Sequence, residues 1–438
     1  VSTVSIDDWH RTPTRSRQPV GDHLQWAKPT IDGLEPGTRY RLRVLDEHQG
    51  DLAEAVVTTA PAADCDRFRL AAGSCFDVNG RHRSVLGQAY DQLTDGADDA
   101  VPTYNLWLGD QVYVDAPWLE TATTAMSRSI IFDRYLKTWG LSDEAPHNLH
   151  RSMARTSNWY LPDDHEFWNG YPNPSWLTLF GHTLWRSVRQ GFRLFAKARP
   201  HPAAQGPWGE AAGEAFSLFA STLDFESFGE DHSPEQLQSF GTDDAVLVLV
   251  DTRWHRTIRK QGPGAGFMHR DDHERLIDLL RSEDRLVCLG LSKPIIGHLP
   301  HRGATRRKVE YGPEDYPAQY RALWQALSAR RELGRPTIVI AGDVHHHAIR
   351  AADDDGLLEI VSSPLAMLNE LDEDANLTKL QAWAEKSGIT FWRNPVAKNS
   401  VPYQGRNVCT RCDTCSICPT GAKYTPEFTF QRLIDEGR

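Results

Sequence analysis

The stretch Thr337-Ile-Val-Ile-Ala-Gly-Asp-Val-His-His-His347 decides how the rest of the chain is read. Its β-branched, apolar run has the character of a buried strand, and Gly342 ends the run by permitting a tight turn. The turn delivers Asp343 and His345 at the carboxyl end of the strand, the edge where open α/β sheets place their ligands. If the backbone stays extended beyond Gly342, these two side chains point the same way. A histidine run on a solvated loop is the plain alternative, and an apolar strand feeding straight into it counts against that.

Working outward, the pattern recurs. Asn105-Leu-Trp-Leu-Gly-Asp-Gln-Val-Tyr113 is an apolar strand that breaks at Gly109 and presents Asp110, with Tyr113 three residues on. A carboxylate there can bridge two cations, although many Gly-Asp pairs are simple turns. The run Phe68 to Ala72 leads through Gly73-Ser74 to Cys75, which alone would read as a small buried hydrophobe. The run Val246 to Val250 closes on Asp251-Thr-Arg253, either a structural ion pair or an arginine placed to grip phosphate. Pro162-Asp-Asp-His-Glu166 packs three carboxylates and an imidazole together, which is costly unless solvent or a cation absorbs the charge. Further strands are expected at Tyr104 to Leu108, Ala245 to Val250, Arg285 to Leu291 and Leu357 to Val361. Helices are expected at Ser84 to Leu93, Trp176 to Ala198, Asp271 to Arg281 and Pro317 to Arg331. This alternation is that of a layered α/β fold. A sheet would gather Cys75, Asp110, Tyr113, Asp164, His165, Arg253, Asp343 and His345 at one edge.

The composition limits what such an edge does. With 438 residues the chain exceeds one ordinary core, so more than one domain is expected. A net charge of -11 argues against sequence-independent binding of nucleic acid, which needs a surplus of Lys and Arg. A phosphorylated small molecule stays compatible, because bound metal supplies positive charge locally. No apolar run is long enough to span a bilayer. Residues 1–62 carry alternating runs around Tyr40 to Val44 and Ala55 to Thr58. Gly33-Leu-Glu-Pro-Gly-Thr-Arg-Tyr40 there resembles the turn-and-strand entry of fibronectin type III-like modules, with part of the module missing. Ala-Pro-Ala-Ala at 60–63 then reads as a linker.

The order Gly-Ser-Cys, Gly-Asp-Gln-Val-Tyr, Asp-Asp-His-Glu, Asp-Thr-Arg, Gly-Asp-Val-His resembles the alkaline phosphatase D (PhoD-like) family of calcineurin-like metallophosphoesterases. The resemblance covers about residues 63–370. It implies an α/β fold, a double β-sheet sandwich flanked by helices, with a small fibronectin III-like β-sandwich at 1–62 and a catalytic domain at 63–372. It also implies hydrolysis of phosphate mono- or diesters of small molecules, through attack by a hydroxide bridging two metal ions, in an exported enzyme. Carried over to this chain, Cys75, Asp110, Tyr113, Asp164, Asp343 and His345 would hold the metals. Iron and calcium are the implied pair, with zinc or manganese as substitutes. His165 would protonate the leaving oxygen and Arg253 would hold the phosphoryl group.

Residues 373–438 depart from that family. Asn394-Pro-Val-Ala-Lys-Asn-Ser-Val-Pro-Tyr403, followed by Cys409, Cys412, Cys415 and Cys418, resembles a piece of the glucose-methanol-choline oxidoreductases. No Gly-x-Gly-x-x-Gly loop is present to hold a flavin. The four cysteines suit one zinc ion or an iron-sulfur cluster, so a redox or metal-binding protein working through this tail is the alternative reading. Idle thiols on a fused segment are the plain one.

Overall fold

A computed structural model describes residues 31, 33–45, 51–65, 69–77, 102–114, 124–139, 149–154, 156–168, 170–172, 211–216, 237–257, 264–295, 316–343, 348–352, 356–363, 365 and 389–393. The expected helices at 84–93 and 176–198, His345 and the four-cysteine tail lie outside these residues.

The strands are β1 (Arg39–Leu45), β2 (Asp51–Thr58), β3 (Leu70–Gly73), β4 (Tyr104–Leu108), β5 (Ser157–Leu161), β6 (Leu237–Gly241), β7 (Ala245–Val250), β8 (Leu286–Leu291), β9 (Thr337–Ala341), β10 (Ala348–Ala352), β11 (Leu357–Val361) and β12 (Ile389–Arg393). The helices used below are α1 (Thr124–Trp139), α2 (Leu149–Met153), α3 (Arg270–Ser282) and α4 (Pro317–Glu332). β1 and β2 form an antiparallel pair. β3, β4 and β5 form a parallel three-stranded sheet, and a seven-stranded sheet runs in the order β12-β10-β11-β9-β8-β7-β6. Its centre, β7-β8-β9-β11, is parallel, while β6 pairs antiparallel with β7 on one flank and β10 pairs antiparallel with both β11 and β12 on the other.

Side-chain alternation explains the layers. Along β7, Val246, Val248 and Val250 face one way and pack with Leu276 and Leu280 of α3 and Leu323 and Leu327 of α4. Leu247 and Leu249 face the other way, joining Cys288 of β8 and Ile340 of β9 against Tyr104, Leu106 and Leu108 of β4 and Leu161 of β5. The opposite face of the small sheet presents Trp107 and Tyr160 to Ile131, Phe132 and Tyr135 of α1. Strands apolar on both faces are what a sheet covered on both sides requires. α3 and α4 are the crossovers that let β7, β8 and β9 run parallel, so these three strands present their carboxyl ends on one side. β3, β4 and β5 do the same in their own sheet.

Candidate metal centre

Cys75, Asp110 and Asp343 follow β3, β4 and β9, and each has the left-handed backbone that non-glycine residues rarely adopt, with φ of 58°, 55° and 66°. Three such residues meeting at one edge mark a place where the backbone is held against its preference, as functional sites often are. Tight packing enforces the turns. A Cβ on Gly109 would come within 2.6 Å of the Cβ of Asp163, and one on Gly342 within 2.6 Å of Ser74 Oγ. The turns also bind one another. Cys75 N–H donates to the carbonyl of Gly109 (3.3 Å), Phe76 N–H to that of Asp110 (2.8 Å), and Asp343 N–H to Ser74 Oγ (3.0 Å). The left-handed turn at Asp343 corrects one expectation: the strand does not stay extended through this residue, and His345 lies outside the described residues.

The side chains converge. One oxygen each of Asp110, Asp163, Asp164 and Asp343 lies within 4.8 Å of the others, and Asp110, Asp164 and His165 form a second such group. Cys75 Sγ donates to Asp110 Oδ2 at 3.5 Å and receives the Ser363 hydroxyl at 3.3 Å. The Tyr113 ring stacks on that of His165 with centroids 4.0 Å apart, and His165 N–H donates to Asp110 Oδ1 at 3.2 Å. Asp110, Asp163 and Asp164 are all buried.

Arg253 is fully buried, and its guanidinium is committed to Asp163, Asp164 and the carbonyl of Tyr171. Asp251 holds the turn below it by accepting from the N–H groups of Arg253 and Trp254. Arg253 thus forms a structural ion pair, but with Asp163 and Asp164, while Asp251 serves the backbone of the turn.

Asp163 and Glu166, read in the sequence only as part of an acidic run, and Lys293, not singled out there, complete the centre. Asp163 joins the converging carboxylates. Glu166, fully buried, accepts from the backbone N–H groups of Asp110 (2.9 Å), Gln111 (2.6 Å), Val112 (3.3 Å) and Asp163 (2.8 Å), tying the turn after β4 to that after β5. Lys293, on the segment after β8, places Nζ 2.9 Å from Asp343 Oδ2. The rule that found Asp110 and Asp343, a polar residue just past a strand end, applies to Ser292-Lys293 as well.

The donor set fits a cation. Burial pushes Asp110 up from the ordinary carboxylate range, with neighbouring carboxylates adding to it. Asp163 is pushed up to about 7 by burial against the pull of Arg253 and Lys293. Burial, with Asp110 and Asp343 alongside, likewise raises the Cys75 thiol. Burial also raises the Tyr113 phenol, with Asp110 and Cys75 contributing. Acidic groups this reluctant to ionise gain most from a bound positive charge. The consequence for stability has a definite sign. In the folded, cation-free protein Asp110 and Asp163 retain protons that the unfolded chain has already released; the contribution of Asp163 is full below about pH 4 and lost as pH rises through about 7, and that of Asp110 is lost in the same direction. Calorimetry of chelator-treated protein should show a lower melting temperature at pH 8 than at pH 5, and saturating Mn2+ should remove the difference. A melting temperature that climbs over that range without metal would contradict this account.

Fold and centre together define an α/β protein with a largely buried acidic cluster, a partly exposed imidazole beside it, that could hold metal at the carboxyl ends of its strands. No family model matches the chain, and no curated protein matches it. A solved structure described as "Structure of PhoD" matches with a TM-score of 0.55 at 18% sequence identity, covering 82% of this chain and 68% of that one. The fold is PhoD-like. Among the described residues no helix is long and apolar enough to cross a membrane.

Proposed function

We propose that this chain is a metal-dependent phosphoesterase acting on phosphate mono- or diesters of small molecules. The observation that carries the reading is the convergence of Asp110, Asp163, Asp164 and Asp343, with His165, within a protein of PhoD-like fold. Cys75, Asp110, Tyr113, Asp164, Asp343 and His345 are the proposed metal-holding residues, for two ions. The thiol and phenol suit iron and the carboxylates suit calcium, with zinc or manganese as substitutes. When bound, such ions supply Lewis-acid stabilisation of phosphoryl charge and a water acidic enough to attack at neutral pH.

The chain's own residues orient and move protons around that chemistry. His165, partly exposed and braced by the Tyr113 ring, is the proposed donor of a proton to the leaving oxygen. Arg253 is better suited to fixing Asp163 and Asp164 than to touching substrate, since its guanidinium is already occupied by them. Glu166 fixes the two turns that present Asp110 and Asp164. The proposed organisation is a catalytic unit at 63–372 built as a two-sheet sandwich, preceded by a fibronectin III-like module at 1–62. The antiparallel pair β1-β2 supports the module.

The test is hydrolysis of bis-nitrophenyl and mono-nitrophenyl phosphate by metal-reconstituted protein, abolished by chelation and restored by metal. Inactivity on both after verified metal loading would refute the proposal. His165→Ala should slow esters with poor leaving groups about a hundredfold and nitrophenyl esters much less, because nitrophenolate departs without a proton. Equal losses on the two would remove His165 from the acid role.

A further inference from the structure

Lys293 is a buried lysine inside a cluster of carboxylates, and no part of the proposed chemistry has used it. Its ammonium lies 2.9 Å from Asp343 Oδ2 and 3.9 Å from Asp163 Oδ2, two of the four carboxylates that converge. The backbone on either side is anchored. Ser292 accepts the N–H of Gly342 through its carbonyl (3.2 Å) and donates from Oγ to Asp163 Oδ1 (3.3 Å). Ile295 N–H donates to the buried carboxylate of Glu359 at 2.6 Å, while Tyr320 OH donates to the Ile295 carbonyl at 2.8 Å. Glu359 sits inside β11, an expensive place for a carboxylate, and it accepts a hydrogen bond from the segment that carries Lys293. The lysine is therefore presented to the centre by a built scaffold.

Its chemistry differs from that of the other buried cation. Arg253 is a planar fork fixed by several partners, whereas Lys293 is a point charge on a four-carbon stem that can withdraw without breaking a bidentate pair. An ammonium bonded to Asp343 occupies an oxygen that a metal ion would otherwise take, and its charge repels that ion at short range.

We infer that Lys293 is a positioning residue, a tethered counter-cation that holds Asp343 in its left-handed turn and weakens the affinity of the centre for free metal ions. The inference rests on the reading of this cluster as a metal centre. It gives the chain a means of keeping the cluster folded before metal arrives, and of limiting how tightly metal is held afterwards.

The experiment is titration of chelator-treated full-length protein with Mn2+ alone, with free Mn2+ read by electron paramagnetic resonance and the Mn2+-induced rise in melting temperature measured in parallel. Lys293→Met keeps the length of the stem and removes the charge. It should bind Mn2+ about tenfold or more tightly than the parent protein, with a larger thermal shift, even if it melts earlier without metal. Lys293→Arg, which keeps the charge, should stay close to the parent. A lysine that only packs would give unchanged or weaker binding on removal, and that result overturns the inference. So does a Lys293→Met protein that stays unfolded at saturating Mn2+. A parent protein that binds no Mn2+ defeats the metal centre itself. One that binds Mn2+ tightly and hydrolyses neither nitrophenyl ester defeats the esterase reading while leaving the role of Lys293 to the titration.

Discussion

Asp110→Asn should reduce ester hydrolysis by about a thousandfold or more, roughly 4 kcal/mol of lost transition-state stabilisation, while raising the melting temperature of the metal-free protein. The two effects have one cause. Asp110 is buried among Asp163, Asp164 and Glu166, and burial with those neighbours pushes its proton affinity up. A neutral amide of the same shape removes that repulsion from the empty centre and removes a ligand oxygen from the loaded one. Asparagine is also the substitution the backbone tolerates, since φ at this position is 55° and asparagine accepts the left-handed region better than other non-glycine residues. The Oδ1 atom can still accept the N–H of His165. A loss of activity would therefore reflect chemistry rather than a collapsed turn. Activity within about tenfold of the parent would mean that Asp110 is not at the reacting centre. A melting temperature that falls without metal would mean that its charge is stabilising.

Much of this centre was legible because physics writes strands and their ends into local sequence. Tyr104–Leu108, Ala245–Val250, Thr337–Ala341 and Leu357–Val361 are strands where their apolar runs place them, and α3 and α4 extend the expected helices by only a residue or so. Asp110, Asp164, His165 and Asp343 were readable as strand-end groups, and Asp110 and Asp164 come together both with His165 and with Asp343. Arg253 has two readings in the sequence, and only its burial beside Asp163 separates them. Lys293 escapes a sequence reading because Ser-Lys-Pro after a strand is an ordinary exit onto a surface, and nothing local reveals that Asp343, fifty residues later, turns back toward it. The edge strand β12 escapes it for a related reason: its partner β10 lies well back in the sequence and its own run is short. The left-handed turns at Cys75, Asp110 and Asp343 leave a trace only in the glycine that closely precedes each.

Glu166 supports the largest stability prediction, because its role is to satisfy backbone groups rather than to touch metal or substrate. Its Oε2 accepts from Asp110 and Asp163, and its Oε1 from Gln111 and Val112. Burial pushes the carboxyl up while these four donors pull it down, an opposition worth maintaining only if the donors have nowhere else to go. Glu166→Ala would strand several buried N–H groups, each costing roughly 1–3 kcal/mol, so unfolding in urea should show a loss of about 4 kcal/mol or more. Glu166→Gln separates the hydrogen bonds from the packing. Its amide keeps one accepting oxygen but turns an NH2 toward the other pair of donors, and about half of the loss should remain. Both variants release the turn that holds Asp110 in its left-handed conformation. Mn2+ affinity should fall in the same order as stability, Ala worse than Gln, although neither change removes a metal ligand. An alanine variant that unfolds within about 1 kcal/mol of the parent would show that water or another group satisfies these amides, and the rigid link between the turns after β4 and β5 would have to be abandoned.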